Sequence, residues 1–123
     1  LAQKMNALGL EGVIFRPITF KPYYAAHKGL SLHGVQIFLT DYTKVNLMKL
    51  QFYFMQVHNE MYPEKNPFTL CKESRLGMFD KVCGTSKIRE MFTKRFKVAD
   101  IDEYLDKDVE SFRTLSSKYY LYK

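Results

Sequence analysis

The chain has 123 residues, 46% hydrophobic and 26% charged, with a formal net charge of +6. That length fits one domain with a real core, and the composition excludes a disordered tract. No apolar run approaches the roughly 20 residues that cross a bilayer, so no membrane span is expected.

A positive balance favours an acidic partner such as nucleic acid, an anionic surface or an acidic glycan. Here the basic residues are interleaved with Asp and Glu along helical stretches, which reads mostly as a solvated face. Lys94, Arg95 and Lys97 form the densest cluster, placed where helix ends commonly carry cations.

The opening "LAQKMNALGL" is an amphipathic helical pattern, with Leu1, Met5 and Leu8 on one face and Gly9 as a stop. Because the pattern is already under way at the first residue, the chain is expected to be a piece of a longer one. "GVIFRPITF" follows with a period of two. Val13, Phe15 and Pro17 share one face, while Ile14, Arg16, Ile18 and Phe20 share the other. Pro17 marks an edge strand or a strand exit. "KPYYAAHKGLSL" is a loop long enough to carry function. "HGVQIFLT" is a second strand, with Val35, Ile37 and Leu39 opposite Gln36, Phe38 and Thr40.

"DYTKVNLMKLQFYFMQVHNEMYP" reads as a long helix with a stripe of Leu47, Leu50, Phe54, Val57 and Met61. Thr43 or Asn46 can cap it, Pro63 ends it, and a second apolar line argues for a central, buried position. "EKNPFTLCKESRLG" carries no periodic run and is expected to be irregular. "GTSKIREMFTKRF" is a short helix capped by Thr85 or Ser86, with Ile88, Met91 and Phe92 inward. The last helix repeats apolar residues at Ile101, Leu105, Val109, Phe112 and Leu115, and Asp100 with Glu103 resembles a capping box. The expected architecture is α+β: two or three strands packed by about four helices.

Catalytic patterns are missing. No nucleophile elbow, glycine-rich phosphate cradle or zinc-protease motif is present. Cys71 and Cys83 form no redox or zinc pattern, and either a disulfide or free thiols fit them. His27, His33 and His58 lack a carboxylate at ligand spacing, so no metal or cofactor is expected. A glycosidase needs two carboxylates flanking one bond. Of the thirteen acids, only Asp41, at the exit of the second strand, has a typical site position, and a turn acceptor is the plainer reading for it.

Arg16 is the anomaly. A guanidinium buried in an apolar strand must be paired. If the strands pair, Gln36 projects beside it, and a planar fork next to an amide suits a ligand carboxylate. An internal bridge from Arg16 to Asp41 or to loop carbonyls fits equally well.

Taken in order, Phe15-Arg16-Pro17, Phe20, Pro22, Lys28-Gly29, Gly34-Val35-Gln36, Thr40-Asp41, Phe79-Asp80, Gly84-Thr85, Tyr119, Leu121 and Tyr122 resemble the C-terminal domain of the NamZ-type exo-β-N-acetylmuramidases. The resemblance covers essentially the whole chain. It implies a two-domain parent whose Rossmann-like N-terminal catalytic domain lies outside residues 1–123. The present domain would complete the substrate cleft and be inactive alone. The parent would release N-acetylmuramic acid from non-reducing ends of peptidoglycan fragments, in the periplasm or outside the cell. The resemblance gives Arg16 a purpose, since muramic acid differs from glucosamine by a lactyl carboxylate.

The sequence departs from the family pattern at Leu32 and His33, where members often carry Cys-Gly, and at Phe38, where they often carry His. Arg16, Gln36, Tyr23, Lys28 and Asp41 are the candidate substrate-binding residues, with Tyr23 offering a ring for a sugar face. No residue of the chain is assigned a catalytic role. A non-catalytic module for anionic glycan or nucleic acid is the alternative, and a purely structural domain is another. Dispersed charge and the absence of a nucleic-acid-binding motif count against nucleic acid.

Overall fold

The structure, a computed structural model, describes residues 1–24 and 27–122, so the loop expected between the strands is described except at positions 25 and 26. The chain divides into two units, Leu1–Lys65 and Asn66–Lys123.

The first unit begins with helix α1 (Ala2–Asn6). Met5 is fully buried, Leu1 and Leu8 pack beside it, and Gly9 ends the turn at a φ of +63°. Strands β1 (Val13–Phe20) and β2 (Leu32–Leu39) form a two-stranded antiparallel sheet, with Val13 opposite Leu39 and Phe20 opposite Leu32.

Gly12 starts the hairpin. Its carbonyl accepts the N–H groups of Thr40 (2.9 Å) and Asp41 (3.2 Å). Its φ is +74°, and a Cβ there would lie 2.2 Å from the Asp41 carbonyl oxygen, so no side chain fits. The bond from Thr40 fixes the phase of the ladder. Antiparallel pairs alternate between hydrogen-bonded and non-hydrogen-bonded, so Ile14, Arg16, Ile18 and Phe20 turn their backbone groups toward β2. Phe15, Pro17 and Thr19 turn theirs outward. Pro17 therefore removes an outward N–H and breaks no ladder bond, which is why a proline is tolerated in mid-strand.

One face of the hairpin supplies the core. Val13 and Phe15 are buried with Met5, Leu50 and Val57, and Phe15 meets Phe54 edge-on at 5.5 Å. Helix α2 (Leu47–Met61) is capped by Asn46, whose Oδ1 accepts the Lys49 N–H at 3.0 Å. Leu47, expected on the buried stripe, is exposed in the first turn. Leu50, Phe52 and Val57 are the buried residues of this helix.

In the second unit, the stretch expected to be irregular contains helix α3 (Pro67–Leu70) and the first five residues of α4 (Glu73–Cys83). Asn66 Oδ1 caps α3 by accepting the Phe68 N–H at 2.9 Å. Helix α4 has no buried residue, so it shows no apolar stripe in the sequence, and it ends at Gly84 with a φ of +75°. Helix α5 (Lys87–Phe92) buries Ile88 and Phe92 and follows Thr85, whose Oγ1 accepts the Lys87 N–H at 3.2 Å. Arg89 ties α5 to α4, its Nε and Nη2 donating to the two Asp80 carboxylate oxygens, each at 2.8 Å.

The single closing helix of the sequence reading is broken into a turn at Val98–Asp100, α6 (Asp102–Asp106), α7 (Val109–Ser116) and a turn at Ser117–Tyr119. Asp100 forms no capping box with Glu103. Its carboxylate is held by the Arg95 guanidinium, and Ile101 precedes α6 without a side-chain cap. Ile101 is fully buried, whereas Val109, Phe112 and Leu115 are exposed. Phe68 packs on Phe79 at 5.0 Å and on Phe96 at 6.0 Å, and Phe96 on Phe92 at 5.3 Å. The fold class is α+β, with the helical part in more and shorter pieces than the sequence pattern shows.

Candidate functional site

The face of the hairpin turned away from Val13 and Phe15 carries Ile14, Arg16, Ile18 and Phe20 from β1, opposite Phe38, Gln36, Gly34 and Leu32 of β2. Arg16 and Gln36 are directly opposite one another. Side chains in such a pair leave the sheet side by side, as the alternation of both strands requires. The Arg16 guanidinium carbon lies 4.9 Å from the centre of the Phe38 ring. Phe38 is the diagonal neighbour of Arg16, and such an exposed cation–ring contact is worth about 0.5–1 kcal/mol.

Arg16 is exposed, not buried, which corrects the premise that it needs an internal partner to survive. The internal bridge to Asp41 is absent as well. Asp41 Oδ1 accepts the Thr43 N–H at 3.0 Å and the Thr43 hydroxyl at 2.6 Å, and Oδ2 stands 3.7 Å from Lys44 Nζ. The Thr43 hydroxyl, then its N–H and Lys44, hold the Asp41 carboxyl below the usual carboxylate range. Asp41 is thus the acceptor of the turn that leads into α2. Among the described residues no acid forms an ion pair with Arg16.

Gly34 shapes the middle of the same face. A Cβ on it would lie 2.8 Å from Cε1 of Phe20, so the absent side chain is where the Phe20 ring lies. On the opposite face, Thr19 Oγ1 and His33 Nδ1 are 3.0 Å apart across the strands.

The candidate residues fall into three places. Arg16 and Gln36 are together, with Phe38 added as the ring that supports the guanidinium. Tyr23 and Lys28 form a second pair in the loop, the ammonium 5.8 Å from the ring centre. This loop begins beyond Phe20, four residues or roughly 14 Å along β1 from Arg16. Asp41 lies past the other end of β2, five residues or roughly 17 Å from Gln36. The five residues therefore occupy the length of the hairpin and do not converge on one point. The alternation of β2 already places Phe38 beside Gln36, and that was the available signal for it.

What Arg16, Gln36 and Phe38 can do follows from their chemistry. The guanidinium offers a planar fork of donors, the amide adds a donor and an acceptor, and the ring limits the orientations of the fork. Together they can bind a carboxylate. They contain no group that titrates near neutrality and no nucleophile, so they supply recognition and no bond-breaking step. A cleft of 180 Å³ between Leu10, Glu11 and the start of α2 lies on another part of the unit.

Comparison with known proteins identifies the family. The family model described as exo-β-N-acetylmuramidase NamZ, C-terminal, matches residues 1–122. The peptidoglycan β-N-acetylmuramidase NamZ of Bacillus subtilis (strain 168) is 31% identical over 122 residues, which is 99% of this chain and 28% of that protein. The crystal structure of a DUF1343 family protein from Bacteroides fragilis NCTC 9343 is 45% identical and superposes with a TM-score of 0.94, over 99% of this chain and 32% of that one. The chain thus spans less than a third of the length of either relative. It belongs to the family of NamZ C-terminal domains.

Proposed function

We propose that residues 1–123 act as the C-terminal domain of a peptidoglycan exo-β-N-acetylmuramidase, completing its substrate cleft and carrying no activity alone. In this reading the catalytic carboxylate belongs to an N-terminal domain of the same parent, and the exported enzyme works on muramoyl glycans in the periplasm or outside the cell. The observation that carries the reading is the Arg16–Gln36 pair. An arginine stands on an open sheet face, braced by Phe38, without an acid of the described residues to neutralise it, in a chain of the NamZ family. Muramic acid presents the complementary group, a lactyl carboxylate that glucosamine lacks.

The test compares the full-length parent with the segment 1–123 for release of N-acetylmuramic acid from a MurNAc-GlcNAc disaccharide. Release by the parent alone is expected. An Arg16→Ala parent should lose kcat/KM on muramoyl substrate by about tenfold to a hundredfold, the worth of a charge-assisted hydrogen bond, and change little on a glucosaminyl analogue. Equal loss on both substrates would reject the carboxylate role of Arg16. No release by a folded parent would reject the muramidase assignment.

A further inference from the structure

The two edges of the hairpin are treated differently. On β1 the middle of the outward edge is closed off. Phe15 has its N–H and its carbonyl bound by the Asn6 side chain, and Pro17 has no N–H to offer. On β2 the outward positions are His33, Val35, Ile37 and Leu39, by the ladder phase that the bond from Thr40 to Gly12 sets. No described residue bonds to their outward N–H or carbonyl groups.

Strand β2 reads Leu-His-Gly-Val-Gln-Ile-Phe-Leu. It holds no lysine, no carboxylate and no proline, the usual devices that keep an edge strand from pairing. Its core-side face is only partly covered, with Val35 packed against the core. Ile37 is 44% and Leu39 48% exposed on the side that in β1 is buried. A two-stranded sheet is marginal alone and gains its stability from a third strand or from packing. Here most of the packing lies under β1, and of the core-side residues of β2 only Val35 shares it.

We infer that β2 is an internal docking edge, on which an extended segment of the parent polypeptide, from outside residues 1–123, pairs as a third strand. The occupant follows from length: the relatives are about three times as long as this chain, so the partner strand is tethered to the edge, and a tethered partner outcompetes a second copy by effective concentration. The incoming segment pairs through its backbone with Val35 and Ile37, and its side chains alternate between the exposed surfaces of Ile37 and Phe38. The inference rests on the longer parent proposed above and not on its substrate.

The test is hydrogen exchange on the full-length parent. The amides of Val35, Ile37 and Leu39 should exchange at least about a hundredfold more slowly than an open edge allows, as do amides inside a ladder. Rapid exchange of these three beside protected Gln36 and Phe38 would overturn the proposal. Protection that fades on dilution would also overturn it, because the partner would then be a second copy.

An Ile37→Pro parent removes one outward N–H at a phase where Pro17 shows that β1 tolerates proline, and Ile37→Ala removes only the side chain. Loss of Val35 protection in the first and its retention in the second is expected. Equal effects would mean side-chain packing alone. MurNAc release is scored separately: release without protection rejects only the docked strand, and protection without release rejects only the muramidase reading.

Discussion

Asn6 grips Phe15 by its backbone: Nδ2 donates to the Phe15 carbonyl at 2.8 Å, and Oδ1 accepts the Phe15 N–H at 2.9 Å. The amide imitates the next strand of a sheet, and it joins α1 to β1 at Phe15, whose ring is buried. Both bonds are partly shielded from water, so losing them leaves a donor and an acceptor poorly solvated. Asn6→Ala should lower stability by about 2–3 kcal/mol on that basis. Asn6→Asp should do nearly as badly, because its second oxygen would face the Phe15 carbonyl without a proton. Urea denaturation of the two variants checks this. A change within about 0.5 kcal/mol, the ordinary range for a surface site, would show that the grip contributes nothing.

Gly12 and Gly34 both meet a neighbour where a Cβ would go, yet the expected penalties differ. At Gly12 the obstacle is the Asp41 backbone oxygen at 2.2 Å, and the φ of +74° is itself strained for an L residue. At Gly34 the obstacle is the end of the Phe20 ring at 2.8 Å, a half-exposed side chain that can turn aside. Gly12→Ala should cost more than about 3 kcal/mol, the upper end for a strained backbone position. Gly34→Ala should cost about 1 kcal/mol, as mild overpacking does. Thermal melts of the pair rank them, and the reverse order would refute the assignment of Gly12 as the hairpin pivot.

Three carboxylates lend the fold an acid-sensitive component. Arg89 lowers the Asp80 pKa, Arg95 that of Asp100, and the Thr43 hydroxyl that of Asp41. A depressed carboxylate contributes fully above its ordinary value of 3.8, and the contribution is lost as pH falls through the lower folded value. Stability should therefore be level in these groups from neutrality to about pH 5 and fall below about pH 4. Asp80→Asn should be less stable at pH 7 and should show a shallower fall between about pH 4 and pH 2. Urea midpoints against pH measure both, and an unchanged slope in that variant would remove Asp80 from the account.

Much of this organisation is legible in the residues. Alternation in β1 and β2 places Arg16 and Gln36 on one face because the period of a strand is fixed at two, and the hairpin register then makes them opposite partners. The spacing of Leu50, Phe54, Val57 and Met61 gives α2 for the same kind of reason. Helix α4 escapes such reading because none of its residues is buried, so nothing selects a stripe. The Asn6 grip escapes because a polar contact nine residues apart leaves no period in the sequence. Exposure of Arg16 is also invisible from the alternation alone. A strand with one buried face and one open face has the same pattern as a strand buried on both when the open face is apolar too. Asp41 looks like a site residue by its place after a strand, but Thr43 occupies its Oδ1 and Lys44 faces its Oδ2.

The Phe38 ring under Arg16 yields the most selective expectation for substrate recognition. Lys at position 16 would keep the charge but not the planar fork, and a compact, strongly hydrated ammonium is a poor replacement if, as proposed, the site binds two carboxylate oxygens at once. Arg16→Lys should then recover only part of the muramoyl preference that Arg16→Ala removes. Phe38→Leu keeps a smaller apolar neighbour and deletes the π face, so the guanidinium loses its platform. That variant should weaken muramoyl binding by about twofold to fivefold, matching an exposed cation–ring contact, with the effect in KM and little in kcat, since in this reading no reacting atom is touched. Kinetics of the full-length parent on muramoyl and glucosaminyl substrates separate the cases. If Arg16→Lys is as active as the unsubstituted enzyme, a point charge suffices and the fork is irrelevant. If Phe38→Leu changes both substrates alike, the ring supports the sheet and not the recognition of a carboxylate.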